Sequence, residues 1–541
     1  MKAPHGFRRL AAALGRHGPG GVIRIAVGAV RGHGLADALR LMRSGRPAQS
    51  LAPRSLQAKR RDLQPDGTVS TKTWALWRAR LAPVSAPPSA APPLVFVIGP
   101  GAAEAKARTQ AALQSLGQAI AARGFKPDPD TLYVFLKPGD APSADLPNAL
   151  AGAAEPAVVQ AVTFDLFQSL DESVRLILLP GANPVRLGEG DYIHGRGALK
   201  GALLLDAPKG DLRARLLDWC SRRSVSQVRE GWKHLGRPLV DIAADSVPSP
   251  SPIALARRRR GAAKDGVSAI ICTRDKGHLT RQLVRQLLAL PRAELAEVVI
   301  LANGTAAPHA RHTLDDLGGD ARVRVIRADE PFNFSRLCNL GVAETRGGGP
   351  LLFLNDDIAP VSEDWLGRLR ARLETPGTGA VGPLLVYPDE RVQHAGVYLR
   401  LPFGVGHILR GASLPQDDPL GLAVAARECA SLTGAVLMVD RAAFHAVGGF
   451  DEALALSFQD ADLCLKLAQA GLRNVLEPDA VLIHMESVSL GSQGDDPGVL
   501  AQRHREQQLF SERWAHVYAH DPFAPAGLDP ADESGLTLEG R

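Results

Sequence analysis

The chain has 541 residues, a formal net charge of +6, 45% apolar residues and 22% charged residues. That length exceeds one ordinary domain and predicts several units, while the composition is that of a globular chain and excludes a disordered or membrane-embedded one. The charge is uneven: residues 1–92 hold 16 Lys/Arg against three Asp, a net +13, so the rest carries 6 − 13 = −7.

Five cysteines, Cys220, Cys272, Cys338, Cys429 and Cys464, form no CxxC pair and no metal-ligand spacing. An odd, scattered set predicts free thiols in a reducing compartment. No apolar run approaches the ~20 residues that cross a bilayer, and "GGVIRIAVGAV" is broken by Arg24 without a cleavage site. The expected location is cytoplasmic.

In chain order, residues 1–82 read as an arm of short basic helices, such as "GLADALRLMRS". Such an arm can lie on an anionic membrane or be a solvated extension, and both readings stay open. Residues 83–93, "PVSAPPSAAPP", are a proline-rich linker. A unit over 94–245 opens with a strand, a turn and a helix. Its "GPGAAEA" puts Glu104 where a dinucleotide fingerprint needs its third glycine, and reads as an ordinary turn. Residues 246–265 form a second linker with the run Arg257–Arg260.

From 266 to 525 the pattern is clear α/β alternation. "VSAIICT", "EVVILANG", "VRVIRA" and "PLLFLN" read as strands, and "LTRQLVRQLLAL" and "NFSRLCNLGVAET" as helices. Apolar strands alternating with helices predict a mostly parallel sheet covered on both faces, with ligands beyond the carboxyl ends of the strands. Those ends carry "CTRD", "ANGT" and "NDD". In "FLNDDIAP" (353–360) two adjacent carboxylates close a strand, an arrangement that suits a hard divalent cation or a plain turn. A second acidic cluster, Asp460 and Asp462 in "SFQDADLCLKLAQAG", opens a helix, where capping explains one Asp but not two. "VLEPDAVLIH" is a strand ending at His484, a position more often structural than ligating.

In this order, "SAIICTRDKGHL", "PFNFSRLCNLGVAET", "LLFLNDDIAPVSEDWL", "LTGAVLMVDRAAFHAVGGFDEAL", "FQDADLCLKLAQAGLRN" and "HMESVSLG" resemble glycosyltransferase family 2, and more closely its tandem members that build O-antigen and other surface polysaccharides, rhamnosyltransferases among them. The resemblance implies a GT-A fold and an inverting transfer from a nucleotide-linked sugar, aided by Mn²⁺ or Mg²⁺. It implies Asp357 as main metal ligand, His484 closing the metal shell, and Asp356 on ribose or phosphate. It implies Asp460 as general base, with Asp462 second, and Gly434 letting the donor sugar approach the backbone. Relatives often carry "DNGS" where this chain reads "ANGT", so Ala302 replaces a carboxylate near the nucleotide; Thr273, Asp275 and Asn303 remain candidates there. The implied partners are a dTDP-, UDP- or GDP-linked donor and a glycan or lipid-linked acceptor at the inner membrane face, with no nucleic acid. Ala302 and Gln459 favour the alternative of a binding scaffold that has lost catalysis.

Within the chain, "YVFLKPGDAP" (133–142) aligns with "LLFLNDDIAP" (351–360) without a gap, Lys137, Pro138 and Gly139 standing where Asn355, Asp356 and Asp357 do. A lysine there opposes a cation. Residues 94–245 therefore read as a degenerate GT-A-like domain that binds acceptor or packs against the catalytic unit.

Overall fold

The computed structural model describes residues 63–64, 67–79, 81, 84, 91–121, 125–154, 158–179, 181–189, 191–206, 210–243, 265–400, 404–414, 418, 420–485, 496–518 and 521–525. The helices expected before residue 63, the run Arg257–Arg260 and the tail 526–541 lie outside the described residues. No helix among the described residues is long and apolar enough to cross a membrane.

In the later unit the expected strands are Val267–Thr273, Leu295–Ala302, Val323–Arg327 and Leu351–Asn355. They run parallel in the spatial order 323–327, 295–302, 267–273, 351–355. Side chains alternate across a strand, and here both faces are apolar. Ala269 and Ile271 pack with Leu283, Leu287, Leu314 and Leu369 on one side. Ile270 packs with Leu337, Val342 and Leu463 on the other. The helix Phe334–Ala343 lies so close that a Cβ at Gly341 would stand 2.5 Å from Ile270 Cγ2.

The sheet then changes direction. Val436–Val439 runs antiparallel to Leu351–Asn355, Thr378–Val386 antiparallel to Val436–Val439, and Arg473–His484 parallel to Thr378–Val386. Ile358–Pro360, just past the two carboxylates, pairs antiparallel with the end of Arg473–His484, Ile358 opposite His484.

The earlier unit repeats this plan. Ala119–Ile120, Leu94–Ile98 and Leu132–Leu136 are parallel neighbours, followed by Gly197–Lys200 and Ala161–Ser169 as antiparallel ones. Trp232–Asp241 runs parallel to Ala161–Ser169, and Ala141–Pro142 pairs antiparallel with it. Leu132–Leu136 thus occupies the place of Leu351–Asn355, and Ala141–Pro142 that of the short strand after the carboxylates, in agreement with the internal alignment.

One expectation changes. The end of the basic arm joins this first sheet: Thr68–Ser70 pairs antiparallel with Ser173–Ile177, and the helix Thr71–Arg78 buries Trp74 and Trp77 against Phe167 and Leu176. Burial of two indoles outweighs the solubility of the charges around them.

The units are joined by polar contacts. Asn183 bonds both the carbonyl and the amide of Glu428, at 3.0 and 3.1 Å. Arg229 pairs with the buried Glu428 carboxylate and donates to the Ala468 and Leu472 carbonyls. Arg372 bridges Glu189 and Glu477 at 2.9 and 2.8 Å. Removing one partner of a buried pair leaves an uncompensated charge. Arg229→Ala is therefore expected to lower stability by about 2–4 kcal/mol, less than for a fully buried pair because Arg229 is part exposed. Urea denaturation checks this, and an unchanged midpoint would mean that the units hold together without the contact.

Candidate active site

The parallel run reverses its direction of growth between Val267–Thr273 and Leu351–Asn355, and a crevice opens above such a switch point. Register places Cys272 beside Asn355 and Thr273 beside Ala302. The strand ends therefore deliver Thr273, Asn355, Asp356 and Asp357 to one spot.

Asp356 and Asp357 are both buried, and their surroundings differ. Asp356 Oδ2 accepts a 2.6 Å hydrogen bond from Thr273 Oγ1, which lies 2.8 Å from Thr280 Oγ1. Burial pushes the Asp356 carboxyl up to about 6, with the Asp357 charge adding to the rise and the Thr273 bond opposing it. At Asp357 burial also works upward, but the neighbouring His484 and the charge of Lys276 more than offset it and hold the group below its ordinary value.

His484 Nε2 lies 3.2 Å from Asp357 Oδ1 and 3.4 Å from Asn355 Nδ2. Asp357 Oδ1 is buried without a hydrogen bond, and so is His484 Nδ1. His484 Nε2 thus stands between a carboxylate oxygen and the Asn355 amide, and the direction of its bonds depends on the tautomer. The donor set, one carboxylate and one imidazole with Asp356 adjacent, fits a divalent ion that takes its remaining ligands from phosphate and water. No group of three or more His, Cys, Asp or Glu able to hold a metal occurs among the described residues.

The Asn355 amide donates to the Ala435 carbonyl at 2.9 Å, and this brings Gly434 beside the carboxylate turn. The Gly434 amide donates to Asp460 Oδ2 at 2.7 Å, and the Ala461 amide to Asp460 Oδ1 at 2.8 Å. Burial raises the Asp460 pKa and these amide bonds oppose the rise. A Cβ at Gly434 would stand 3.4 Å from Asp460 Cβ and 3.6 Å from Phe334 Cε1, filling the space between them.

Three expected residues are engaged elsewhere. Asp462 is fully buried and accepts from Arg513 at 2.6 Å and from the Trp514 indole at 3.1 Å, with Lys466 at 3.3 Å. It anchors the helix Pro497–Trp514 rather than facing the crevice. Asn303 spends its amide on the Ala328 and Glu330 carbonyls, at 2.7 and 2.8 Å. Asp275, with φ 54°, receives the Ala306 and Ala307 amides at 2.7 Å each, and those bonds, Ala307 foremost, lower its pKa. Thr273 reaches the crevice only through Asp356.

The sequence carried no signal for Glu506. Its carboxylate, 1% exposed, accepts from the amides of Ala455, Leu456 and Ser457 at 2.7–3.2 Å, with Gln502 donating at 2.7 Å. That grip lies just before Phe458, whose φ of 65° is strained for a bulky residue and whose ring stacks on Phe510 at 5.0 Å. Asp460 follows two residues later, so the last helix sets the approach to it.

In the earlier unit the corresponding turn is closed. Arg196 and Asp140, both fully buried, form a two-pronged pair at 2.6 and 2.7 Å, and Lys137 stands at the strand end.

Residues 268–431 match the family described as glycosyl transferase family 2. The chain is 38% identical over 278 residues to "Uncharacterized protein y4gI" of Sinorhizobium fredii, covering 50% of this chain and 29% of that one. It is 35% identical over 323 residues to "O-antigen biosynthesis protein RfbC" of Myxococcus xanthus, covering 60% and 24%. It is 32% identical over 169 residues to an N-acetylglucosaminyl-diphospho-decaprenol L-rhamnosyltransferase of Mycobacterium tuberculosis, covering 30% and 54%. The matches thus span about a quarter to a half of these relatives. Two solved structures are similar over part of the chain: GalNAc-T7 with UDP, GalNAc and Mn²⁺ (18% identity, TM-score 0.35, covering 41% and 43%) and mannosyltransferase PcManGT from Pyrobaculum calidifontis with GDP-Man and Mn²⁺ (16%, 0.33, covering 47% and 70%). The residues that match the glycosyl transferase family 2 model, 268–431, thus contain the switch-point carboxylates and lie in a unit of mixed α/β fold with a mostly parallel sheet.

Proposed function

We propose that the chain transfers a sugar, with inversion, from a nucleotide diphosphate donor to a glycan or lipid-linked acceptor in surface-polysaccharide synthesis. The observation that carries this is the open Asp357 Oδ1 facing His484 Nε2 at 3.2 Å, beside Asp356 and in the unit that also holds Asp460 near Gly434. The names of the O-antigen and decaprenol-linked relatives support the acceptor class, and a rhamnosyl donor is the first to test.

Asp357 and His484 would hold Mn²⁺ or Mg²⁺. When bound, the ion offsets charge developing on the departing diphosphate. Asp356, oriented by Thr273, contacts ribose or phosphate. Asp460 takes the proton of the acceptor hydroxyl at a carboxylate oxygen, each of which keeps a lone pair beyond its amide bond. The acceptor oxygen then bonds to the anomeric carbon as the bond to the diphosphate oxygen breaks on the opposite face. Gly434 leaves room for the sugar. Asp462 and Glu506 keep the Asp460 loop in place. The earlier unit is assigned a non-catalytic role in packing and acceptor contact, because Lys137 and the Arg196–Asp140 pair leave no carboxylate for a cation. The basic arm, mostly outside the described residues, would supply the contact with an anionic membrane.

Calorimetric titration with UDP, dTDP and GDP, with and without Mn²⁺, is expected to show metal-dependent binding of one nucleotide, weakened at least about a hundredfold in Asp357→Ala. No binding to folded wild type would favour a scaffold without catalysis.

Asp460→Asn is expected to keep nucleotide binding while kcat falls by about 10²–10⁴-fold. The base must be ionised and its pKa is raised, so in wild type the acid limb of kcat/KM lies above the ordinary carboxylate range, with the rate rising as pH rises through it. A variant that retains wild-type kcat would remove Asp460 from the role.

Glu506→Ala is expected to lower kcat at least about tenfold with donor KM little changed, since it frees three amides that set the Asp460 loop. Matched losses in kcat and secondary structure would mark a purely structural role.

A further inference from the structure

One residue back from Thr273, two sulfurs lie in contact. Cys272 Sγ, near the end of the strand Val267–Thr273, is 3.9 Å from Cys338 Sγ in the helix Phe334–Ala343. We infer that these thiols are a modification site: an oxidant joins them in a disulfide, and that bond switches the site off reversibly. The disulfide stands on the two sulfurs alone, while its effect on ligand rests on the diphosphate reading of Asp356 and Asp357.

Access and contact single out this pair. Cys272 is part-buried, whereas Cys220, Cys338, Cys429 and Cys464 are buried. Burial, with the Cys272 sulfur adding to it, holds the Cys338 thiol well above its ordinary value, so Cys338 does not begin the reaction. Cys272 meets the oxidant first. With hydrogen peroxide its sulfur exchanges a hydrogen for a hydroxyl as the O–O bond breaks, and water leaves behind a sulfenic acid. The Cys338 sulfur then bonds to the Cys272 sulfur. The S–O bond breaks, and the hydroxyl departs with the Cys338 proton as a second water. Two electrons have passed from the sulfurs to the peroxide, and an added thiol reverses the bond by exchange.

Position gives the bond its effect. A disulfide needs its sulfurs about 2 Å closer than they stand here, so strand end and helix must draw together. Each carries a different side of the site. On the strand, the residue after Cys272 is Thr273, whose hydroxyl holds Asp356, and Cys272 itself stands beside Asn355. On the helix, the Phe334 amide donates to the Ala455 carbonyl at 2.9 Å, and the Ser335 hydroxyl to the Leu454 carbonyl at 2.5 Å. Asn339, next to Cys338, donates to the Phe450 carbonyl at 2.9 Å and accepts from the Phe450 amide at 3.1 Å. Those contacts lead into the loop 455–457 before Asp460. A bond between the sulfurs therefore shifts the carboxylate side against the base side. As two thiols the pair only packs within the core.

Reduced full-length wild type and Cys272→Ala are treated with hydrogen peroxide, then digested for peptide mass and titrated with UDP, dTDP and GDP in the presence of Mn²⁺. Oxidised wild type is expected to yield a peptide pair linked through Cys272 and Cys338. The nucleotide that binds the reduced protein should bind at least about tenfold more weakly after oxidation, and dithiothreitol should restore it. Cys272→Ala should yield no linked pair through Cys338 and bind nucleotide equally before and after peroxide. If wild type yields no Cys272–Cys338 pair, the modification site falls and the diphosphate reading stands. A linked pair with unchanged nucleotide binding overturns the switch. If reduced, folded wild type binds none of the three nucleotides, the diphosphate reading falls and the switch with it, and the peptide mass alone decides the disulfide.

Discussion

Two carboxylates side by side in a buried turn repel each other, and much of the later unit answers that repulsion. Asp356 is relieved from one side by Thr273, itself beside Thr280 in the first turn of the helix Gly277–Leu288. Asp357 is relieved from the other by His484, which stands there because Ile358 pairs opposite it across two antiparallel strands. The two environments push the carboxyls in opposite directions, Asp356 up and Asp357 down. Adjacent carboxyls driven apart in this way can take separate tasks.

The same sheet in the earlier unit answers the same geometry with a different charge. Asp140 follows the equivalent strand, and the Arg196 guanidinium satisfies both of its oxygens in a fully buried pair. A guanidinium is permanently charged and matches a carboxylate bidentately, so it leaves no open oxygen. His484 approaches Asp357 with one nitrogen and leaves Oδ1 without a hydrogen bond. Duplicate topology with opposite closure explains how one chain can hold two sheets of this plan and a single open carboxylate turn among the described residues.

Much of this was legible in the sequence because buried parallel strands are continuous apolar runs with abrupt polar ends. "VSAIICT", "EVVILANG" and "PLLFLN" announce both the strands and the place where ligands meet them. What the sequence concealed is how polar side chains at those ends are spent. Asn303 and Asp275 sit in the expected loops, but their hydrogen bonds go to backbone groups at residues 328, 330, 306 and 307. Those partners follow from loop geometry, which no spacing rule encodes. The charge count of the arm likewise obscured Trp74 and Trp77, whose burial joins the end of that arm to the first sheet.

The dependence of Asp460 on distant chain follows from the same physics. Its loop, residues 455–457, has three amides with no sheet or helix to receive them, and Glu506 from the helix Pro497–Trp514 takes all three. The same helix neutralises Asp462 through Arg513, which also pairs with Asp451 at 2.6 Å. Without that helix, one buried carboxylate would lose its strongest partner and three amides would be left unpaired beside the strained Phe458. Each is costly in a low-dielectric interior. The residues that match the family, 268–431, hold the carboxylate turn, but the proposed base lies beyond them, and its geometry is set from farther still. The contacts that hold the Asp460 loop therefore extend past the matched residues to Trp514.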